Sequence, residues 1–258
     1  MAVAYETSLT PAAVSFLAAG EAETVAFNAG TGADRVLLVA VLWRERSNVI
    51  SGVTYNGVAM TAVAAKTTEN AFVSMQIWRL ANPASGSNDI VVTMGAGDNS
   101  SDALIGAWVG NTTDTATPVD GLQIGQGTAS TASIVSSLSS AVTSAVGDMV
   151  VPVFGQANST ANISATATNY TERQDADNGS GFTLTFGDAA GAATVNPSAT
   201  WNNGAYSVSW IGMGVNVNAA AGGGGASIVR QMLQHHRGRL KSMSGWRRHE
   251  SGLYLRAA

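Results

Sequence analysis

The sequence predicts an all-β protein: a two-sheet antiparallel β-sandwich, jelly-roll-like, followed by a short basic C-terminal tail with a helical and an extended piece. Three observations carry this reading. Short runs rich in Val, Ile, Leu and aromatic residues recur, with turn residues roughly every ten positions. No apolar repeat at helical spacing occurs before residue 226. Asn56-Gly57 sits between two alternating runs, a strong hairpin signal because both turn residues must take positive φ.

Taken in order, Arg35–Trp43 (RVLLVAVLW) is a continuous apolar run and reads as a fully buried central strand. Ser51–Ala64 holds the Asn-Gly hairpin. Ala71–Leu80 alternates apolar and polar residues and is broken by Asn82-Pro83-Ala84-Ser85-Gly86. Asp89–Met94 and Leu104–Val109 resume the strand pattern. Asp148–Phe154 (DMVVPVF) is another apolar strand, and Pro152 within it predicts an edge position or a bulge, because proline cannot donate to the ladder. Phe182–Phe186 and Ala205–Val217 complete the body. Polar small-residue stretches such as Gly127–Ser144 lie between.

The chain is 45% hydrophobic but only 12% charged, against about 25% charged in an average soluble domain. It has no cysteine, which excludes disulfides, thiol catalysis and Cys-ligated zinc. The first twenty residues lack a basic start and are interrupted by Glu6, Thr10 and Pro11, so neither a secretion signal nor a membrane span is expected. This combination suits a protein made in a host cytoplasm and released as part of a particle. The Asn-x-Ser/Thr triplets, such as Asn111-Thr112-Thr113, follow from that composition and are not read as glycan sites.

Charge divides the chain. Residues 1–221 hold six basic and sixteen acidic groups, a net charge of −10; residues 222–258 hold seven basic groups and Glu250, a net charge of +6. The expected organisation is therefore a body over 1–221, a glycine linker over 222–225 and a docking tail over 226–258.

The segments VTYNGVAMTAVA, QIWRLANPASGSNDIVVTM, LIGAWVGNTTDTATPVDG, GDMVVPVFG and YSVSWIGMGVNV follow one another in this order. Together they resemble a β-sandwich domain that recurs in tailed-phage virion proteins and in bacterial surface proteins, over roughly residues 20–218. The resemblance implies a structural role as a head, tail or fibre component that decorates a particle, with weak glycan binding as a second possibility. It carries over no catalytic residue.

Chemistry-bearing motifs are scarce. Residues 1–221 contain no histidine, so neither a Ser-His-Asp nor a Cys-His arrangement can form there. HExxH, GxSxG and phosphate-loop patterns are absent. Glycoside hydrolysis needs two facing carboxylates, for which Glu45 or Glu172, either one with an Asp, is a nominal candidate; Glu45, between Arg44 and Arg46, reads more simply as an ion-paired surface residue. The expectation is a non-enzyme without a cofactor. Asp175-Ala176-Asp177-Asn178-Gly179 resembles the start of a calcium loop, but the glycine comes at the fifth position and Phe186 stands where the twelfth should be acidic; Asp175 and Asp177 are a weak calcium candidate beside the plainer reading of a polar turn. Among the aromatic residues, Trp78, Trp108 and Trp210 lie in apolar strands. Trp201, in ATWNNGAYS, is the candidate for an exposed glycan platform.

The tail places Ile228, Val229, Met232 and Leu233 on one face of a short helix, followed by Arg237, Arg239, Lys241, Trp246, Arg247 and Arg248 and by the strand-like Leu253-Tyr254-Leu255. Docking to another virion protein or to a second copy in a homo-oligomer is the favoured role, with the helix in a groove or Leu253–Leu255 added to a neighbour's sheet. A solvating disordered end, nucleic-acid contact and a membrane surface stay open, although the acidic body opposes nucleic acid. The adjacent His235 and His236 point about 100° apart on a helix, a poor arrangement for one shared metal ion.

Overall fold

The computed structural model describes residues 1–16, 20–44, 49–95, 101–157, 165–179, 181–202 and 207–221, together with 246–248 and 254–256. The chain divides into two compact units, Met1–Ala220 and Ala221–Ala258. The first is all-β, and every ladder between its named strands is antiparallel.

It is built of two halves with matching topology. The first half runs β1 (Ala4–Phe16), β2 (Ala22–Asn28), β3 (Val36–Arg44), β4 (Ile50–Tyr55), β5 (Val58–Ala59), β6 (Thr61–Ala62), β7 (Thr67–Glu69), β8 (Val73–Ala81), β9 (Ser87–Met94) and β10 (Ser101–Asn111). The second runs β11 (Val119–Ala129), β12 (Ser133–Ser137), β13 (Met149–Ala157), β14 (Ala165–Thr168), β15 (Thr171–Asp177), β16 (Phe182–Ala190), β17 (Ser198–Asn202) and β18 (Val208–Val217). The sheets of the first half are ordered β1-β10-β3-β8-β6, with β7 also on β8, and β2-β9-β4-β5; those of the second are β11-β18-β13-β16-β15 and β12-β17-β14. When β5, β6 and β7 are taken as one interrupted fifth strand, both halves read first-eighth-third-sixth-fifth and second-seventh-fourth. That is jelly-roll order. The sandwich expected of the sequence is present twice, in four sheets where two were expected.

The two five-position sheets pack face to face. β1 lies over β15, β10 over β16, β3 over β13, β8 over β18 and β7 over β11. Exchanging the halves leaves these pairings unchanged, so an approximate two-fold axis passes through β3 and β13. Each central sheet is then covered on its other face by its own outer sheet. Val36, Leu38, Ala40 and Leu42 of β3 join the core between the halves, while Leu37, Val39, Val41 and Trp43 join the core inside the first half. Burial on both faces explains why this strand reads as a continuous apolar run. The two central sheets approach closely: a Cβ on Gly155 of β13 would lie 2.6 Å from Leu42 of β3, and one on Gly106 of β10 2.7 Å from Phe186 of β16.

The Asn56-Gly57 hairpin forms as expected, with φ of 50° and 73° and Tyr55 opposite Val58. Pro152 corrects the sequence reading. It lies in β13, the middle strand of its sheet, and not at an edge. Its ladder to β18 continues through Pro152↔Gly214, whereas the ladder to β16 is interrupted between Val150↔Ala189 and Val153↔Phe186. The missing N–H faces that gap. On the far side of β16, β15 bulges at Arg173, between Glu172↔Gly187 and Gln174↔Phe186.

The gap and the bulge flank Asp188, which is buried at the seam between the halves. Arg173 donates from Nε and Nη2 to its two carboxylate oxygens at 2.7 and 2.9 Å, and Trp108 Nε1 of the first half donates at 3.0 Å. The Arg173 guanidinium also lies 4.1 Å from the centre of the Tyr5 ring. This contact with Asp188 holds Arg173 still more firmly in its charged form. Removing Asp188 leaves a partly buried cation and an indole N–H without their acceptor. Asp188→Ala should lower unfolding free energy by about 3 kcal/mol, and Trp108→Phe by about 1 kcal/mol beyond its packing loss, both read by urea denaturation.

Tyr170 packs against the Phe154 ring at 5.9 Å, and burial raises its phenol pKa, with the Glu172 and Asp175 carboxylates adding to the effect. A group with a raised folded pKa contributes stability below its unfolded value, here 10.0, and that contribution is lost as pH rises above it. Thermal melts taken from pH 9 upward should therefore show a loss of stability that Tyr170→Phe removes in part.

Candidate functional site

Several residues singled out in the tail, Ile228, Val229, Met232, Leu233, Arg237, Arg239, Lys241 and Leu253, lie outside the described residues, as does the helix expected there. The rest form two short strands, β19 (Trp246–Arg248) and β20 (Tyr254–Arg256). They pair antiparallel, with Trp246↔Arg256, Arg247↔Leu255 and Arg248↔Tyr254. The Tyr254-Leu255 piece, expected to add to a neighbour's sheet, thus has a partner strand within its own tail. Local closure is favoured because a short loop loses less entropy than a distant pairing. The two-stranded ribbon puts Trp246, Arg247, Arg248, Tyr254, Leu255 and Arg256 on one compact element that carries three of the tail's seven basic groups.

Trp201 is not a surface platform. It is fully buried, and its Nε1 donates to Ser136 Oγ at 2.7 Å. β17 is the middle strand of the outer sheet, and Ala199 and Trp201 turn inward to the core of the second half while the exposed Asn202 and the half-buried Thr200 alternate with them. The polar neighbours that suggested exposure are the outer face of a half-buried strand.

Asp175 and Asp177 do not converge on a common point. Asp175 Oδ2 accepts from the Ala165 N–H at 3.0 Å, and Asp177 Oδ1 accepts from the Gly179 N–H at 2.7 Å. Asn178 Oδ1 takes the Phe182 N–H at 3.0 Å and closes the turn. Among the described residues, no three His, Cys, Asp or Glu side chains gather as metal ligands. The plainer reading of the segment, a polar turn, holds from Asn178 onward, while Asp175, Ala176 and Asp177 end β15 in its ladder to β16. Glu45 lies outside the described residues, and Glu172, raised by partial burial, stands opposite Gly187 in the ladder.

What the fold does gather is a polar cleft of about 410 Å³ at one end of the second half, where β11, β13 and β18 meet. Asn216 Nδ2 lies 3.0 Å from Asp120 Oδ1, 3.1 Å from Asp148 Oδ2 and 2.7 Å from Asn218 Oδ1, and Ser144 Oγ donates to Asn216 Oδ1 at 2.6 Å. Asn218 Nδ2 donates to Asp120 Oδ2 and to the Thr117 carbonyl. Asp148 also accepts the backbone N–H groups of Ala145 and Ala219. On the preceding loop, the Asp114 carboxyl is held below its ordinary pKa by the Ala116 N–H, the Thr117 hydroxyl and the Thr117 N–H. These residues come from TPVDG, GDMVV and GVNVN, segments that sequence reading took for core and turn signals only. Their meeting depends on separations of 68 to 101 positions, which no local pattern reveals. Chemically the cleft is a knot of amides and carboxylates that ties three strand ends together.

Comparison with known proteins finds no family model that matches the chain and no curated protein that matches it.

Trp201→Phe should keep most of the core volume but leave the buried Ser136 hydroxyl without its donor, at a cost of about 1–2 kcal/mol in denaturant melts. Millimolar calcium or a chelator should leave the melting temperature of the full chain unchanged, because Asp175 and Asp177 are committed to backbone N–H groups.

Proposed function

We propose that this chain is a non-enzymatic structural protein of a phage particle, a capsid or tail decoration or fibre component, held in place through its C-terminal unit. The observation that carries the reading is a coincidence of two boundaries. The chain changes from net −10 to net +6 after residue 221, and the structure divides between Ala220 and Ala221. A charge-poor double sandwich suits a displayed module, and a separate basic unit with an aromatic and arginine-rich ribbon suits docking to an acidic protein surface. The partners would be other virion proteins and copies of this chain in a homo-oligomer. The setting in a particle follows from the motif resemblance and from the weakly charged surface composition.

The test is co-sedimentation with particles that lack this protein, at low and high salt. The full chain should pellet with them. A full chain carrying Arg247→Glu and Arg248→Glu, and a chain ending at Ala220, should stay in the supernatant, and high salt should release the full chain. Equal pelleting of all three places the contact on the body and overturns the docking role of the tail. Failure of the full chain to pellet counts against the particle reading itself.

A further inference from the structure

A second cleft, of about 200 Å³, lies at the seam between the halves. Asn70 and Phe72 of the first half line one side, and Ala157, Ser207 and Ser209 of the second line the other. Phe72 is 37% exposed, one of the few large apolar side chains presented to solvent among the described residues.

The turn that presents it is strained. The Phe72 N–H bonds to the Glu69 carbonyl at 3.1 Å, and the two residues between, Asn70 and Ala71, both take positive φ, 53° and 49°. The β4–β5 hairpin uses the same backbone with Asn56-Gly57, where glycine bears it freely. At Asn70-Ala71 the chain places a Cβ in the left-handed region, next to an exposed aromatic ring. Strain of this kind gathers at binding sites. The ring is also braced: Arg44 Cζ lies 5.5 Å from its centre and 5.3 Å from the centre of Phe182, and Arg44 pairs with Asp102 at 3.8 Å.

The floor has a defined hydrogen-bond direction. Thr128 Oγ1 is 3.0 Å from Glu69 Oε1 and 3.3 Å from Ser209 Oγ. An ionised carboxylate only accepts, so the Thr128 proton goes to Glu69 and the Ser209 proton goes to Thr128. Ser209 lines the cleft, is itself 5% exposed, and with its proton given to Thr128 keeps its oxygen as an acceptor. Beside it stand the Asn70 amide and the Ser207 hydroxyl at the rim. One apolar ring face, one amide and two hydroxyl oxygens match the alternating C–H face and hydroxyl edge of a sugar ring. The volume is below the roughly 300 Å³ at which drug-sized pockets begin, which limits the occupant to one residue. We propose that this cleft binds a single neutral pyranose residue, stacked on Phe72 and hydrogen-bonded by Asn70, Ser207 and Ser209.

The test is saturation-transfer difference NMR on the full chain with the methyl pyranosides of glucose, galactose, mannose and N-acetylglucosamine. At least one should receive saturation at its ring protons. Phe72→Leu keeps an apolar side chain but removes the π face, and it should weaken binding about tenfold while the melting temperature stays that of the native chain. Phe72→Trp should retain binding, and Ser209→Ala should weaken it. No transfer to any of the four probes, or transfer to the Phe72→Leu variant equal to that of the native chain, overturns the proposal.

Discussion

The burial of Asp188 is the constraint around which the body is arranged. A carboxylate taken out of water must be met by charge and by donors, or it destabilises the fold. Arg173 meets it with two bonds from the bulge in β15, and Trp108 meets it from the other half. The bulge, the ladder gap at Pro152 and the position of Tyr5 beneath the guanidinium all belong to the same local arrangement. Because its partners come from both halves, Asp188 adds a directional lock to a seam whose core is apolar. An apolar face alone resists separation but tolerates sliding; a fixed charge with two fixed donors sets the register.

The approximate two-fold relation explains why the core of the seam can be apolar. Each jelly roll has one central sheet that its own outer sheet covers on one face only. Placing the two uncovered faces together buries both, and each of β3 and β13 meets its own counterpart on the axis. The halves differ where the fifth strand runs. In the first half it is divided between both sheets as β5, β6 and β7; in the second, β15 stays wholly on the central sheet. The Phe72 cleft lies beside this asymmetry, at the turn that joins β7 to β8.

Body and tail separate by charge as well as by structure. The acidic cleft of Asp120 and Asp148 is closed on itself by Asn216 and Asn218, so it ties strands together. The basic ribbon of β19 and β20 carries its charge on a unit of its own. The proposed docking role would use this division between a folded body and a separate basic element.

How much of this was legible beforehand depends on the range of the interaction. Local rules were sufficient for the Asn56-Gly57 hairpin, for the doubly buried β3, for the all-β class and for the charge boundary near residue 221. Each rests on neighbours in the chain: φ preferences at two adjacent residues, continuous apolarity over eight, or a plain count of charge. Trp201 was misjudged because exposure depends on which face of a strand meets a core, and its polar neighbours marked only the outer face. Pro152 was misplaced because a missing N–H shows that one ladder is broken, not that the strand has one neighbour. The doubling of the sandwich, the pairing of Asp188 with Trp108 eighty positions away, and the meeting of Phe72 with Ser209 were decided only by tertiary structure. They depend on which sheets face one another, and the energy that selects the arrangement comes from burying two apolar faces at once, which no single segment of the chain contains.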